Sequence, residues 1–160
     1  MPVRVQEGDF DPGAELAALA RGDEAGGETE VGGLASFVGL VRGTAGGRPI
    51  RAMTLEHYPG MTERKLAEIA AEAERRWPLT GTVIVHRVGR LLPGERIVLA
   101  AAASAHRAAA LEACAFLIDW LKTEAPFWKF EEAEDGSGRW VEARDSDRAA
   151  AARWGGLGRG

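Results

Sequence analysis

Three places in this chain concentrate side chains able to handle an anion. Arg42 lies in the run Gly39 to Pro49, among Gly39, Gly43, Gly46 and Gly47, and that run reads as a mobile basic loop between two strands. Ser104-Ala105-His106-Arg107 stands at the start of an expected helix, with Ser104 as its cap. Free N–H groups and the positive end of the helix dipole favour a phosphate or carboxylate there, and an arginine can grip a phosphate with two donors. Lys122 and Lys129 straddle Pro126, with Phe127 and Trp128 between them. A lysine with its ordinary pKa of roughly 10.4 is a cation that can hold a phosphate or steady an oxyanion. To act as a base or nucleophile it needs desolvation or neighbouring cations. Taken singly, each place also has a plainer reading: a helix cap, solvated arginines, surface lysines.

Other reactive residues offer less. His57 and His86 fall in expected strands without a ligand-spaced partner, so no metal site is expected. Cys114 is the sole cysteine, on an apolar helix face, and reads as core rather than as a reactive thiol. Trp77, Trp120 and Trp140 read as core or interface residues. No nucleotide-binding loop is visible, and no bound cofactor is expected.

The elements that must position these groups follow from patterning. The chain has 160 residues, 46% hydrophobic and 28% charged, the balance of one ordinary globular domain. A net charge of −4 argues against nucleic acid or an anionic membrane as partner, so basic residues must gather locally if the ligand is an anion. With one cysteine, no signal-like start and no apolar run of about 18 residues, the cytoplasm is the expected location. A strand at Val3–Gln6 precedes a helix with Asp11 as cap and Pro12 at its first position. Arg21 to Thr29 is a Gly- and acid-rich loop. Strands follow at Val31–Val38 and Ile50–His57. Thr62–Trp77 is a long helix, with Leu66, Ile69, Ala70, Ala73 and Trp77 on one face and Thr62 as cap. Thr82–Val88 and Arg96–Ala103 are strands joined by a turn at Leu92–Glu95. The second long helix runs from Ser104 to Thr123, its buried stripe expected at Leu111, Cys114 or Ala115, Ile118 and Leu121. Phe127–Glu134 and Arg139–Ala143 read as a hairpin. The Ala-, Arg- and Gly-rich end reads as a loose helix that frays. Clustered strands with two long helices make the class α+β.

Helix geometry constrains any shared site. Arg107 and Lys122 stand fifteen positions apart on one helix, which is about 22 Å at roughly 1.5 Å per residue. One small ligand cannot readily reach both within one chain. Either there are two sites, or a twofold dimer brings the helix start of one copy to the helix end of the other.

In combination these residues resemble a known family, the large, catalytic subunit of molybdopterin synthase. The resemblance is carried by Phe37-Val38-Gly39-Leu40-Val41-Arg42, by Leu55-Glu56-His57-Tyr58-Pro59-Gly60-Met61 and by Ser104-Ala105-His106-Arg107. It continues in Lys122-Thr123-Glu124-Ala125-Pro126-Phe127-Trp128-Lys129 and Trp140-Val141-Glu142-Ala143. It spans roughly Val31 to Asp147, so residues 1–147 are taken as one domain and 148–160 as a flexible tail. It implies a single α+β domain of α/β-hammerhead type, with mixed and antiparallel strands, two long helices and a small additional antiparallel sheet. It further implies a sulfurtransferase that adds two sulfur atoms to cyclic pyranopterin monophosphate to form the molybdopterin dithiolene. The sulfur would come from the C-terminal Gly-Gly thiocarboxylate of a small ubiquitin-like carrier, within a heterotetramer built on a homodimer of this chain. By position, Lys122 and Lys129 would be the catalytic pair, while Arg42, His106 and Arg107 would bind the pterin and its phosphate, the last two from the neighbouring copy. Phe130, where the family often has a basic residue, and Leu111, where an aromatic is common, depart from the pattern. The rival reading is a non-catalytic dimeric module that binds a ubiquitin-like tail or a phosphorylated metabolite.

Overall fold

The structure, a computed structural model, describes residues 3–22, 30–141 and 145–155. Most of the loop read at 21–29, the Glu142-Ala143 end of the last expected strand and residues 156–160 of the tail lie outside them.

The first sheet has the strand order β1-β5-β7-β2. It comprises β1 (Val3–Gln6), β5 (Leu79–Arg87), β7 (Arg96–Ser104) and β2 (Gly33–Leu40). β1 runs parallel to β5, and the other pairs are antiparallel. The central strand β7 is covered on both faces, and its side chains sort with a period of two. Val98, Ala100 and Ala102 join the core under the long helices, whereas Leu99 and Ala101 join a second core with Phe10, Val83 and Val85. Leu16 and Leu19 of α1 (Pro12–Ala20) close that second core. Asp11 caps α1 as expected, its Oδ1 accepting from Gly13 N at 2.9 Å and Ala14 N at 3.2 Å.

The second sheet is antiparallel throughout, as expected of the additional sheet. It has five strands: β3 (Thr44–Ala45), β4 (Arg48–His57), β8 (Phe127–Ala133) and β9 (Gly138–Val141), with β6 (Gly89–Leu91) also paired to β4. β3 and β6 are too short to show a period, which is why the sequence hides them. β3 also corrects the reading of Gly39–Pro49 as a loose loop. It forms a hairpin with β4 around Gly46 and Gly47, whose φ values of 58° and 78° suit the tight mirror-image turns favoured between twisted strands. On β9, Gly138 leaves room for the Phe130 ring from β8, because a Cβ there would lie 2.2 Å from it. Phe130 then meets Trp140 edge-on at 5.2 Å, so the departure at Phe130 has a packing role. Trp140 itself is 58% exposed.

The helices join the two sheets. α2 (Met61–Arg76) buries Leu66, Ile69, Ala70 and Ala73, the face that the spacing predicts. Its start differs from expectation: Gly60 is the N-cap, and the Glu63 carboxylate accepts from Gly60 N at 2.7 Å. Thr62 is fully buried; its Oγ1 accepts from Tyr58 N at 2.9 Å and donates to Pro126 O at 3.1 Å. α3 (Arg107–Glu124) buries Ala109, Ala110, Ala113, Cys114, Phe116, Leu117, Trp120 and Leu121. Of the expected stripe, Cys114 and Leu121 are buried and Ile118 packs against the core, whereas Leu111 is 63% exposed. The buried face is wider than one stripe because α3 packs on β2 and β7, on α2 and on α4 (Asp145–Ala152). The segment read as a loose terminal helix is α4 (Asp145–Ala152), and the boundary placed at Asp147 falls inside it. Just beyond, the Trp154 indole donates to Asp119 at 2.7 Å and packs edge-on against Trp77 and Phe116.

Candidate active site

The cleft forms where the C-terminal end of α3 meets both sheets. β8 supplies one wall. With side chains alternating along a strand, Phe127, Lys129 and Glu131 share a face, and all three line the cleft. Pro126 ends α3 and turns the chain into β8, so Lys122 from the last helical turn lines the same space as Lys129. Thr62 holds that corner through the Pro126 carbonyl. Arg42 enters from the segment between β2 and β3, and the β5 end contributes His86. The space is about 280 Å³, enough for a small ligand, and Asp147 of α4 also lines it.

The structure therefore brings Arg42, Lys122 and Lys129 to one place, as the resemblance implies. It does not bring His106 and Arg107 there. Both are exposed at the opposite end of α3 and line no part of this cleft. His106 is the helix N-cap, with no side-chain capping bond. Ser104, expected as the cap, ends β7 instead: its Oγ donates to Pro78 O at 2.7 Å and accepts from His106 N at 3.1 Å.

Two further side chains line the cleft: Glu131, which the sequence does not single out, and His86, which it weighs only as a metal ligand. Glu131 is 5% exposed, with an Arg139 nitrogen 3.7 Å away. Strand alternation from Lys129 would have found it. His86 is buried at the junction of the sheets; parity with Ile84 puts it on the helix side, but which end of that face opens into a cleft is a tertiary fact. Burial pushes its imidazole down to about 3; the Arg87 carbonyl opposes this, and Lys122, Lys129 and His57 add to it. His57 lies 3.3 Å from Glu63, the helix-capping carboxylate.

The thiol is unsuited to sulfur chemistry. Cys114 is buried, its Sγ 3.6 Å from the Ala100 carbonyl, and burial pushes it up to about 11. It does not line the cleft.

A two-sheet α+β chain whose cleft gathers cations from a helix end, a strand and the segment between β2 and β3 defines a class: an anion-handling protein without a reacting thiol of its own. Comparison with known proteins narrows the class. Residues 5–124 match the family described as MoaE protein. A molybdopterin synthase catalytic subunit from Pseudomonas aeruginosa is 55% identical over 154 residues, covering 96% of this chain and 99% of the relative. The solved structure of a molybdopterin biosynthesis MoaE protein from Burkholderia ambifaria superposes with a TM-score of 0.79 at 54% identity, over 96% of this chain and 97% of that one. A complex of subunits 1 and 2 of molybdopterin-converting factor from Helicobacter pylori shares the fold, with a TM-score of 0.69 at 21% identity over 91% and 92% of the two chains.

This chain belongs to the MoaE protein family. Among the described residues no helix is long and apolar enough to cross a membrane.

Proposed function

We propose that this chain is the catalytic subunit of a molybdopterin synthase. It moves two sulfur atoms from the C-terminal thiocarboxylate of a small ubiquitin-like carrier onto cyclic pyranopterin monophosphate, forming the dithiolene. The observation that carries this reading is the convergence of Lys122, Lys129 and Arg42 on one cleft that the chain's own thiol does not reach. Both partners in the reaction are anionic, one through its thiocarboxylate and the other through its phosphate. Cations fixed before the ligands arrive stabilise charge without reorganising during the reaction. Because Cys114 is buried and its thiol is raised, the sulfur comes from outside the chain and already activated.

Lys122 and Lys129 are the catalytic pair in this reading. Arg42 holds the pterin phosphate together with His106 and Arg107 of a second copy, in keeping with the length of α3. The assembly is a homodimer of this chain with one carrier at each end. The reaction takes place in the cytoplasm, in keeping with a single unpaired cysteine.

The test mixes the chain with thiocarboxylated carrier and cyclic pyranopterin monophosphate and follows the dithiolene product. Lys122→Ala is expected to lower turnover by about a hundredfold or more, with the fold and carrier binding retained. Undiminished product formation by this variant would refute the assignment.

A further inference from the structure

His86, the last residue but one of β5, lies on the face of Ile84, is 4% exposed, and lines the cleft. Its ring stacks on Phe127 of the other sheet, with centroids 3.7 Å apart and 15° between the planes. Phe127 and Lys129 lie two residues apart on one strand face, so this stack fixes the strand end that carries Lys129. The imidazole Nδ1 lies 2.8 Å from the Arg87 carbonyl oxygen. A carbonyl only accepts, so Nδ1 carries a proton; burial keeps the ring neutral, and in the neutral ring Nε2 then holds the lone pair. With Nδ1 engaged at the backbone, Nε2 is the ring nitrogen available to the cleft. The ring shares the cleft with Lys122 and Lys129, where a neutral acceptor steadies an ammonium group and another cation would repel both.

We propose that His86 is a positioning residue for the lysine pair: wedged between the sheets against Phe127, it presents its unprotonated Nε2 to the Lys122 and Lys129 ammonium groups and holds them in the reacting geometry. The proposal rests on the reading of those lysines as the catalytic pair. Among the described residues, the charged and titratable groups that influence the ring or line its cleft are Lys122 from α3, Lys129 and Glu131 from β8, His57 from β4, Arg42 from the segment after β2, Asp147 from α4, and Arg87 on its own strand. Because His86 is neutral near pH 7, removing it changes no charge there. It removes an acceptor, and an ammonium that loses an acceptor gives up its proton at lower pH.

Two variants separate the functions of the ring in the complete reaction with carrier and pterin. His86→Phe keeps an aromatic face against Phe127 and removes the lone pair. Its kcat is expected to fall at least about tenfold, while KM for the pterin stays within about twofold. The lysine limb of its pH–rate profile is expected to move to lower pH. His86→Gln restores an acceptor through its side-chain carbonyl, and is expected to recover part of kcat and return the limb towards its original position. Wild-type kcat with an unmoved limb in His86→Phe would overturn the proposal, as would an equal loss in both variants accompanied by a raised KM. Lys122→Ala in the same assay separates the two failures. If Lys122→Ala is inactive and His86→Phe is wild-type, only the role of His86 falls. If Lys122→Ala keeps full turnover, the catalytic reading falls and the role of His86 falls with it.

Discussion

Lys122 and Lys129 stand seven positions apart in the sequence, on different elements, and their common cleft exists because Pro126 breaks α3 and sends the chain into β8. Neither lysine is distinguished by its residue type alone; the resemblance singles them out in sequence, and the turn between helix and strand supplies the physical reason. Cys114 shows the opposite relation, because sulfur chemistry draws attention to the one residue the fold withholds. At a pKa of about 11 its thiolate fraction at pH 7 is on the order of one in ten thousand. Cys114→Ala is therefore expected to keep dithiolene formation within about twofold of the parent, measured in the same reconstituted reaction. A loss as deep as that of Lys122→Ala would place the thiol in the sulfur path.

At the scale of elements, α2 was legible because one face of it carries the core residues Leu66, Ile69, Ala70 and Ala73, so a single period dominates. α3 was legible in extent, and its buried face only in part. Surrounded by sheet, α2 and α4, it buries Phe116, Leu117 and Trp120, which a single stripe through Leu111 misses. Glu72 on α2 shows what a helix-face period cannot reveal, a buried carboxylate. Its carboxylate is buried on α2, where hydrogen bonds from Arg75 and Arg76 outweigh desolvation and hold it at about 2, below an ordinary 4.5. Arg76 also lies over the Phe116 ring and donates to the Trp154 carbonyl, tying α2 to α3 and to the segment after α4. The sign follows from the lowered folded-state value. The contribution is present above the unfolded-state pKa and is lost as pH falls from about 4.5 towards 2. Glu72→Gln is expected to flatten that part of the stability–pH curve, measured by denaturant unfolding between pH 2 and 6. An unchanged slope would mean that the ion cluster does not act on folding.

At the scale of the molecule, the lysine-lined cleft and the His106–Arg107 helix start occupy opposite ends of α3. That separation was legible from the length of the helix alone. Which copy completes which cleft was not, because an interface has no period in the sequence. The proposed function requires the two ends to meet across a twofold axis, so each working site is composite. Mixing two inactive variants tests this directly. Lys122→Ala and Arg107→Ala chains, coexpressed in equal amounts with the carrier supplied, form mixed dimers in which one of the two clefts has every native residue. With random pairing, half of the dimers are mixed and each has one intact site, so roughly a quarter of parental activity is expected to return. Two separately inactive variants that form mixed dimers yet recover no dithiolene would contradict the shared cleft.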